Sequence, residues 1–130
     1  FLRNSDLLRV SGFNQSVLTA IDRLVVFLPN ATPVNINTAT PEVLAAVIKD
    51  LDIGASRRFA GPQARRKFTN LGEAKAELKL RDDLPQELLA VGSSFFIVSG
   101  VIRYGRVEAQ TLTLIQRQAS KVEVIWQYRS

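Results

Sequence analysis

Apolar positions change their spacing near residue 92. Before that point they recur at three- and four-residue intervals and Ala is common, the period of helices packed by one face. Beyond it they alternate, and Val, Ile and Thr dominate, as in strands. The 130-residue chain therefore reads as a helical subdomain over 1–91 and a small antiparallel three-stranded sheet over 92–130. The expected fold class is α+β.

The first helical piece is short, over 6–10, with Ser5 or Asp6 as its N-cap and Gly12 as its stop. Asn14 caps the next, over 15–27, whose inner stripe is Val17, Leu18, Ile21, Leu24, Val25 and Leu28. Pro29 is expected to end it. Residues 34–37 form an extended approach to a clear helix start. There Thr40 is the N-cap, Pro41 occupies the first helical position without losing a hydrogen bond, and Glu42 complements the helix dipole. Val43, Leu44, Val47 and Ile48 point inward from that helix. A further helix is expected over 55–67, either continuous or interrupted at Gly61-Pro62, and another over 72–78.

In the first terminal strand, Phe96, Val98 and Ile102 share one face and Phe95, Ile97 and Val101 the other. Two apolar faces predict a central strand covered on both sides. Tyr104-Gly105-Arg106 is a turn, with Gly105 free to take a positive φ. The second strand spans 107–117. The third places Val122, Val124, Trp126 and Tyr128 on one face, with Glu123, Gln127 and Arg129 opposite. Short links between successive strands favour a meander.

Composition narrows the chemistry. The chain is 46% hydrophobic, enough for a packed core, and has no Cys, His or Met. Thiolate and imidazole chemistry are thereby excluded, as are Cys or His metal sites and disulfides. Phe1 is no initiator, so the sequence reads as a processed or excised piece. No run approaches the ~20 apolar residues of a membrane span, and any anchor or export signal is expected upstream. The net charge is +5, which attracts acidic partners, anionic lipid or nucleic acid. Arg57, Arg58, Arg65, Arg66 and Lys67 concentrate it. They form either a solvated helix face or an interface with an acidic partner.

Carboxylates are the remaining catalytic side-chain type. Asp50 with Asp52, and Asp82 with Asp83, are close in sequence but carry no calcium-loop pattern, and read as solvated loop acids. Ser93-Ser94 has no base partner. No phosphate-binding Gly pattern is present. The expectation is a protein that is not an enzyme.

Two hairpins stand out. DNA-binding helix-hairpin-helix modules place two glycines between helices, so that backbone N–H groups approach a phosphate at the positive end of the second helix. Around Gly12 the second glycine is replaced by Asn14. Around Gly54 the first is replaced by Asp52, an acid that would repel a phosphate. Both read as hairpins kept for packing. Asn35 and Asn37 read as side-chain caps.

The string Asn35-Ile36-Asn37-Thr38-Ala39-Thr40-Pro41-Glu42-Val43-Leu44 resembles a segment shared by two families. One is the competence-type helix-hairpin-helix DNA receptor, the other the K-type minor pseudopilin of type II secretion. The order of the surrounding motifs is similar to the second. Leu7 to Gly12 matches an upstream hairpin, Leu28-Pro29 a helix end, and Ala64-Arg65-Arg66-Lys67-Phe68 an Arg-rich helix end. Ser94-Phe95-Phe96, Leu114 to Arg117 and Val122 to Trp126 match the closing strands. The competence-type domain leaves those strands unexplained.

The K-type resemblance implies a helix-hairpin-helix-like, SAM-like helical insertion, of which residues 1–91 are the later part. Residues 92–130 would be returning strands of a pilin-like body. It implies a periplasmic domain of a Gram-negative protein, anchored in the inner membrane through an upstream helix and seated at the pseudopilus tip. The implied partners are the I-type and J-type minor pseudopilins, with no nucleic acid. Some members bind calcium in the pilin body. No cofactor and no metal ligand is assigned to these residues. The motif positions are Gly12, Asn14, Asn35, Asn37, Thr38, Thr40 and Gly54.

Overall fold

The computed structural model describes residues 4–60 and 67–129. The chain divides into two compact units, Phe1–Val91 and Gly92–Ser130. Helices come first and a three-stranded antiparallel sheet follows, the α+β class expected.

The first unit opens with a 3₁₀ helix, Asn4–Arg9, where an α-helix over 6–10 was expected. So short a piece has too few i→i+4 bonds to hold α geometry. Gly12, at φ +93°, turns the chain into α1 (Gln15–Ile21). The expected run to residue 27 is not realised. Beyond Ile21 the chain tightens into a turn, the N–H groups of Leu24 and Val25 donating to the Ile21 carbonyl at 2.8 and 3.1 Å. Val25 and Val26 remain about two-fifths exposed, at 42% and 41%. Burial there does not offset the low helix propensity of β-branched residues. Pro29 is therefore not what ends α1. Asn4 ties the 3₁₀ helix to this turn, its Nδ2 donating to Asp22 Oδ1 and the Val25 carbonyl, each at 3.1 Å.

The main core lies further along. β1 (Val34–Asn35) leads into α2 (Pro41–Val47), α3 (Ile53–Ala60), α4 (Leu71–Leu78) and β2 (Leu89–Ala90). Ile36, Leu44, Ile48, Leu51, Phe68, Ala74, Leu84 and Leu89 are buried together. Of the expected inner face of α2, Leu44 and Ile48 are buried, while Val43 and Val47 are half-buried. β1 and β2 pair in parallel, Val34 opposite Leu89 and Asn35 opposite Ala90. This two-rung ladder closes the unit, joining residues more than fifty positions apart. α3 begins earlier than residue 55. Of the helix expected over 55–67, the part at 61–66, with Gly61, Pro62, Arg65 and Arg66, lies outside the described residues. The rings of Phe59 and Phe68 stack with centroids 5.2 Å apart.

The second unit is a meander of β3 (Phe95–Tyr104), β4 (Val107–Gln118) and β5 (Lys121–Arg129), with β4 in the middle. Gly105, at φ +59°, makes the β3–β4 turn. Two expectations fail here. β3 is an edge strand, not a central one, and Ile97, Val98, Val101 and Ile102 are each about half exposed. Two apolar faces did not specify position, because a meander puts its second strand in the middle whatever the first carries. The third strand does not keep one apolar face either. Leu114 pairs with Trp126, but Ile115 pairs with Val124, so Ile125 is an extra residue in a bulge. One inserted residue reverses the alternation. Val122 and Val124 share the face of Phe96, Val98 and Ile115, while Trp126 and Tyr128 lie on the opposite face with Leu114.

Candidate functional site

The segment from Asn35 to Thr40 is a nest of backbone caps. The Asn35 carbonyl accepts from the N–H groups of Thr38 and Ala39 at 3.1 and 2.9 Å. The Asn35 side-chain oxygen accepts from the Asn37 N–H at 3.0 Å, an Asx turn. These bonds bend the chain out of β1 and aim the Asn37 side chain into the unit. There its amide is fully engaged: Oδ1 accepts from the Phe68 N–H at 2.8 Å, and Nδ2 donates to the carbonyls of Phe68 and Val91, each at 3.0 Å. Partly buried backbone polar groups that no strand or helix serves are satisfied by this one amide. Thr38 takes part through its backbone N–H. Thr40 caps α2 as expected, with Pro41 at the helix start, although its hydroxyl is a long 3.5 Å from the Val43 N–H.

The hairpin between α2 and α3 is held by its own side chains. Asp52 sits ahead of α3, and its Oδ1 accepts from the Ala55 N–H at 2.8 Å. The position where a helix N-terminus would receive an anion already holds the protein's own carboxylate. Gly54 leaves room for it, since a Cβ there would stand 3.0 Å from Asp52 Oδ1. Ser56, fully buried, donates from Oγ to the Pro41 carbonyl at 2.6 Å and fastens α3 to the start of α2. In the first hairpin, Asn14 does not stand in for a phosphate-binding glycine. Its side chain accepts from the Val17 N–H at 3.0 Å and caps α1.

At α4, Asn70 accepts from the Glu73 N–H at 3.0 Å, and Glu73 reaches back to the Thr69 N–H at 2.9 Å, a form of capping box. Lys75, within α4, is ion-paired with Asp83 beyond the helix. The hydrogen bond from Lys75, and then its charge, hold the Asp83 carboxyl below the usual carboxylate range, against a small opposing effect of burial.

Asn35, Asn37, Thr38 and Thr40 thus share one capped segment, from which Asn37 reaches Phe68 and Val91. Gly12 and Asn14 belong to the separate α1 hairpin, and Gly54 to the α2–α3 hairpin. Arg57, Arg58 and Lys67 are exposed. Arg65 and Arg66 lie outside the described residues. Asp52 and Ser56 were not singled out as structural contacts from the sequence. Asp52 carried a usable signal, an N-cap acid before a helix. Ser56 carried none, because its partner is set by how two helices cross. The side-chain hydrogen bonds of Asn35, Asn37 and Thr40 go to backbone groups, and among the described residues no group of acids could hold a metal ion. No helix of the described residues is long and apolar enough to cross a membrane.

Residues 34–92 match the family model of type II secretion system (T2SS), protein K. The matched segment opens at β1 and ends just past β2, so it contains every residue of the main buried cluster of the first unit. The match bears out the resemblance carried by the motif order. No curated protein matches the chain.

Proposed function

From this kinship with type II secretion system protein K, and hence a role in the envelope secretion machinery, we propose that the chain is part of a non-enzymatic minor pseudopilin of the pseudopilus tip. In this reading residues 1–91 are the later part of a helical insertion and residues 92–130 are returning strands of a pilin-like body. The domain works in the periplasm, anchored in the inner membrane by an upstream helix, and joins I-type and J-type minor pseudopilins. Its action is steric. A bulky helical unit on a pilin body blocks addition of a further subunit and defines the end at which assembly starts.

The observation that carries the reading is the match over residues 34–92, where Asn37 and Asp52 are spent on backbone hydrogen bonds. The sheet supports it. β3 has ten residues, apolar side chains on both faces and one charged residue, Arg103, at its end. Edges in self-sufficient sheets are blunted by charges or bulges, as β5 is by Lys121, Glu123 and the bulge at Ile125. β3 has no bulge and no charge before Arg103, which suits a strand that continues into a larger sheet. Asp52 weighs against the competence-type DNA-binding reading, because its carboxylate caps the start of α3 and would repel a phosphate there.

The test is reconstitution of the full-length protein with I-type and J-type partners, read by native mass spectrometry. A stable ternary complex is expected; failure of the three to associate overturns the reading. A parallel titration with duplex DNA at two salt concentrations should show no salt-sensitive binding.

A further inference from the structure

The end of α2 and the stretch following α4 enclose a groove of about 530 Å³ within the first unit. Its floor is apolar. Ile48 and Leu84 belong to the buried core, and Leu88, at the mouth, is 49% exposed. One lip carries Lys49 and Asp50, the other Lys79, Arg81 and Asp82. Both lips are bent through non-glycine residues of positive φ, Asp50 at +63° and Lys79 at +54°. None of these five charged side chains has a hydrogen-bond or ion-pair partner among the described residues. Asp83, the remaining acid of the groove, is neutralised by Lys75. Three cations and two carboxylates are therefore left free around an apolar floor.

We propose that this groove docks a short segment of a partner protein carrying an apolar anchor flanked by carboxylates. The anchor removes water from Ile48, Leu84 and Leu88, the kind of enclosed contact that supplies most binding energy at interfaces. The flanking carboxylates meet Lys49, Lys79 and Arg81, which outnumber the free acids. A segment with basic flanks meets more cations than free carboxylates and binds more weakly. The groove lies wholly in the first unit, so the proposal stands apart from the pilin-body reading.

The test is a titration of isotope-labelled full chain with an acetylated Glu-Glu-Leu-Phe-Glu-Glu peptide, read by amide chemical shifts. Shifts confined to residues 47–50 and 79–88 are expected. Replacing the peptide's Glu by Lys, or its Leu-Phe by Ala-Ala, should abolish them. The double substitution Lys79→Glu with Arg81→Glu should weaken binding by about tenfold or more. Both positions are exposed or half-buried, and an unchanged circular dichroism spectrum checks that the fold is kept. Leu88→Ser, at an exposed position, gives an independent loss of the anchor contact. Equal binding of the Lys-flanked peptide, shifts located elsewhere, no shift at millimolar peptide, or full affinity in the double variant would each overturn the proposal.

Discussion

Asn37 and Phe68, 31 residues apart, exchange two hydrogen bonds: the Asn37 side chain accepts from the Phe68 N–H at 2.8 Å and donates to the Phe68 carbonyl at 3.0 Å. The amide pairs with both backbone groups of one residue, as a neighbouring strand would. A second bond from the same nitrogen reaches the Val91 carbonyl, so one side chain ties the middle of the unit to its end. Asn37→Ala leaves one donor and two acceptors without their partner. Stability should fall by on the order of 3 kcal/mol, measured by urea unfolding. Asn37→Asp should also destabilise, because its carboxylate keeps the bond from Phe68 N–H but faces two carbonyls. Thr38→Ala, whose hydroxyl holds nothing in the cluster, should change stability by no more than about 0.5 kcal/mol.

Leu44 is fully buried at the centre of the core. Leu44→Ala should cost about 3 kcal/mol, from lost burial and a residual cavity. Val25→Ala, at a position 42% exposed beyond α1, should cost well under half as much. A similar loss at both would mean that the turn after α1 is packed in solution, and denaturation midpoints distinguish the two results.

The Lys75–Asp83 pair predicts a pH dependence. A carboxyl whose folded pKa lies below its unfolded one contributes stability above the unfolded value, and loses it as pH falls through the folded one. Asp83 is of this kind. Its side chain is 90% exposed, so the effect on overall stability is small and is best read at the residue. The side-chain carboxyl resonance of Asp83 should titrate below that of an ordinary Asp, and Lys75→Ala should move its midpoint upward. A midpoint unaffected by Lys75→Ala would show that the pair is not formed.

The free edge of β3 predicts self-association. A ten-residue apolar edge with no interior charge is a template for pairing with another strand. Sedimentation velocity of the 130-residue chain should show association with rising concentration. Val98→Lys, on the exposed face of β3, should suppress it, and Val122→Lys on β5 should have little effect. Equal suppression by both would locate the association on the sheet face rather than the edge.

Local chemistry by itself determined the helix start at α2, the turns at Gly12 and Gly105, and the order of helices before strands. Thr40-Pro41-Glu42 declares a helix start because the cap, the proline and the acid all act within one turn of the same backbone. Asn14 was legible as a cap for the same reason. The asparagine segment around Asn35 and Asn37 was legible as a set of caps, but not the groups it caps. Those lie 31 and 54 residues away, and no spacing in the sequence encodes which carbonyls need a donor once the chain is folded. The parallel pairing of Val34 with Leu89 is hidden likewise, since two-residue strands carry no alternation. α1 ended early because its last turns lack a surface to bury against. The sheet shows the same division. Alternation marked the strands, but strand order places β3 at an edge, and the bulge at Ile125 moves Trp126 and Tyr128 to the other face. A period-two pattern survives only while pairing is regular, and one extra residue, whose position is set by the neighbouring strand, reverses every side chain after it.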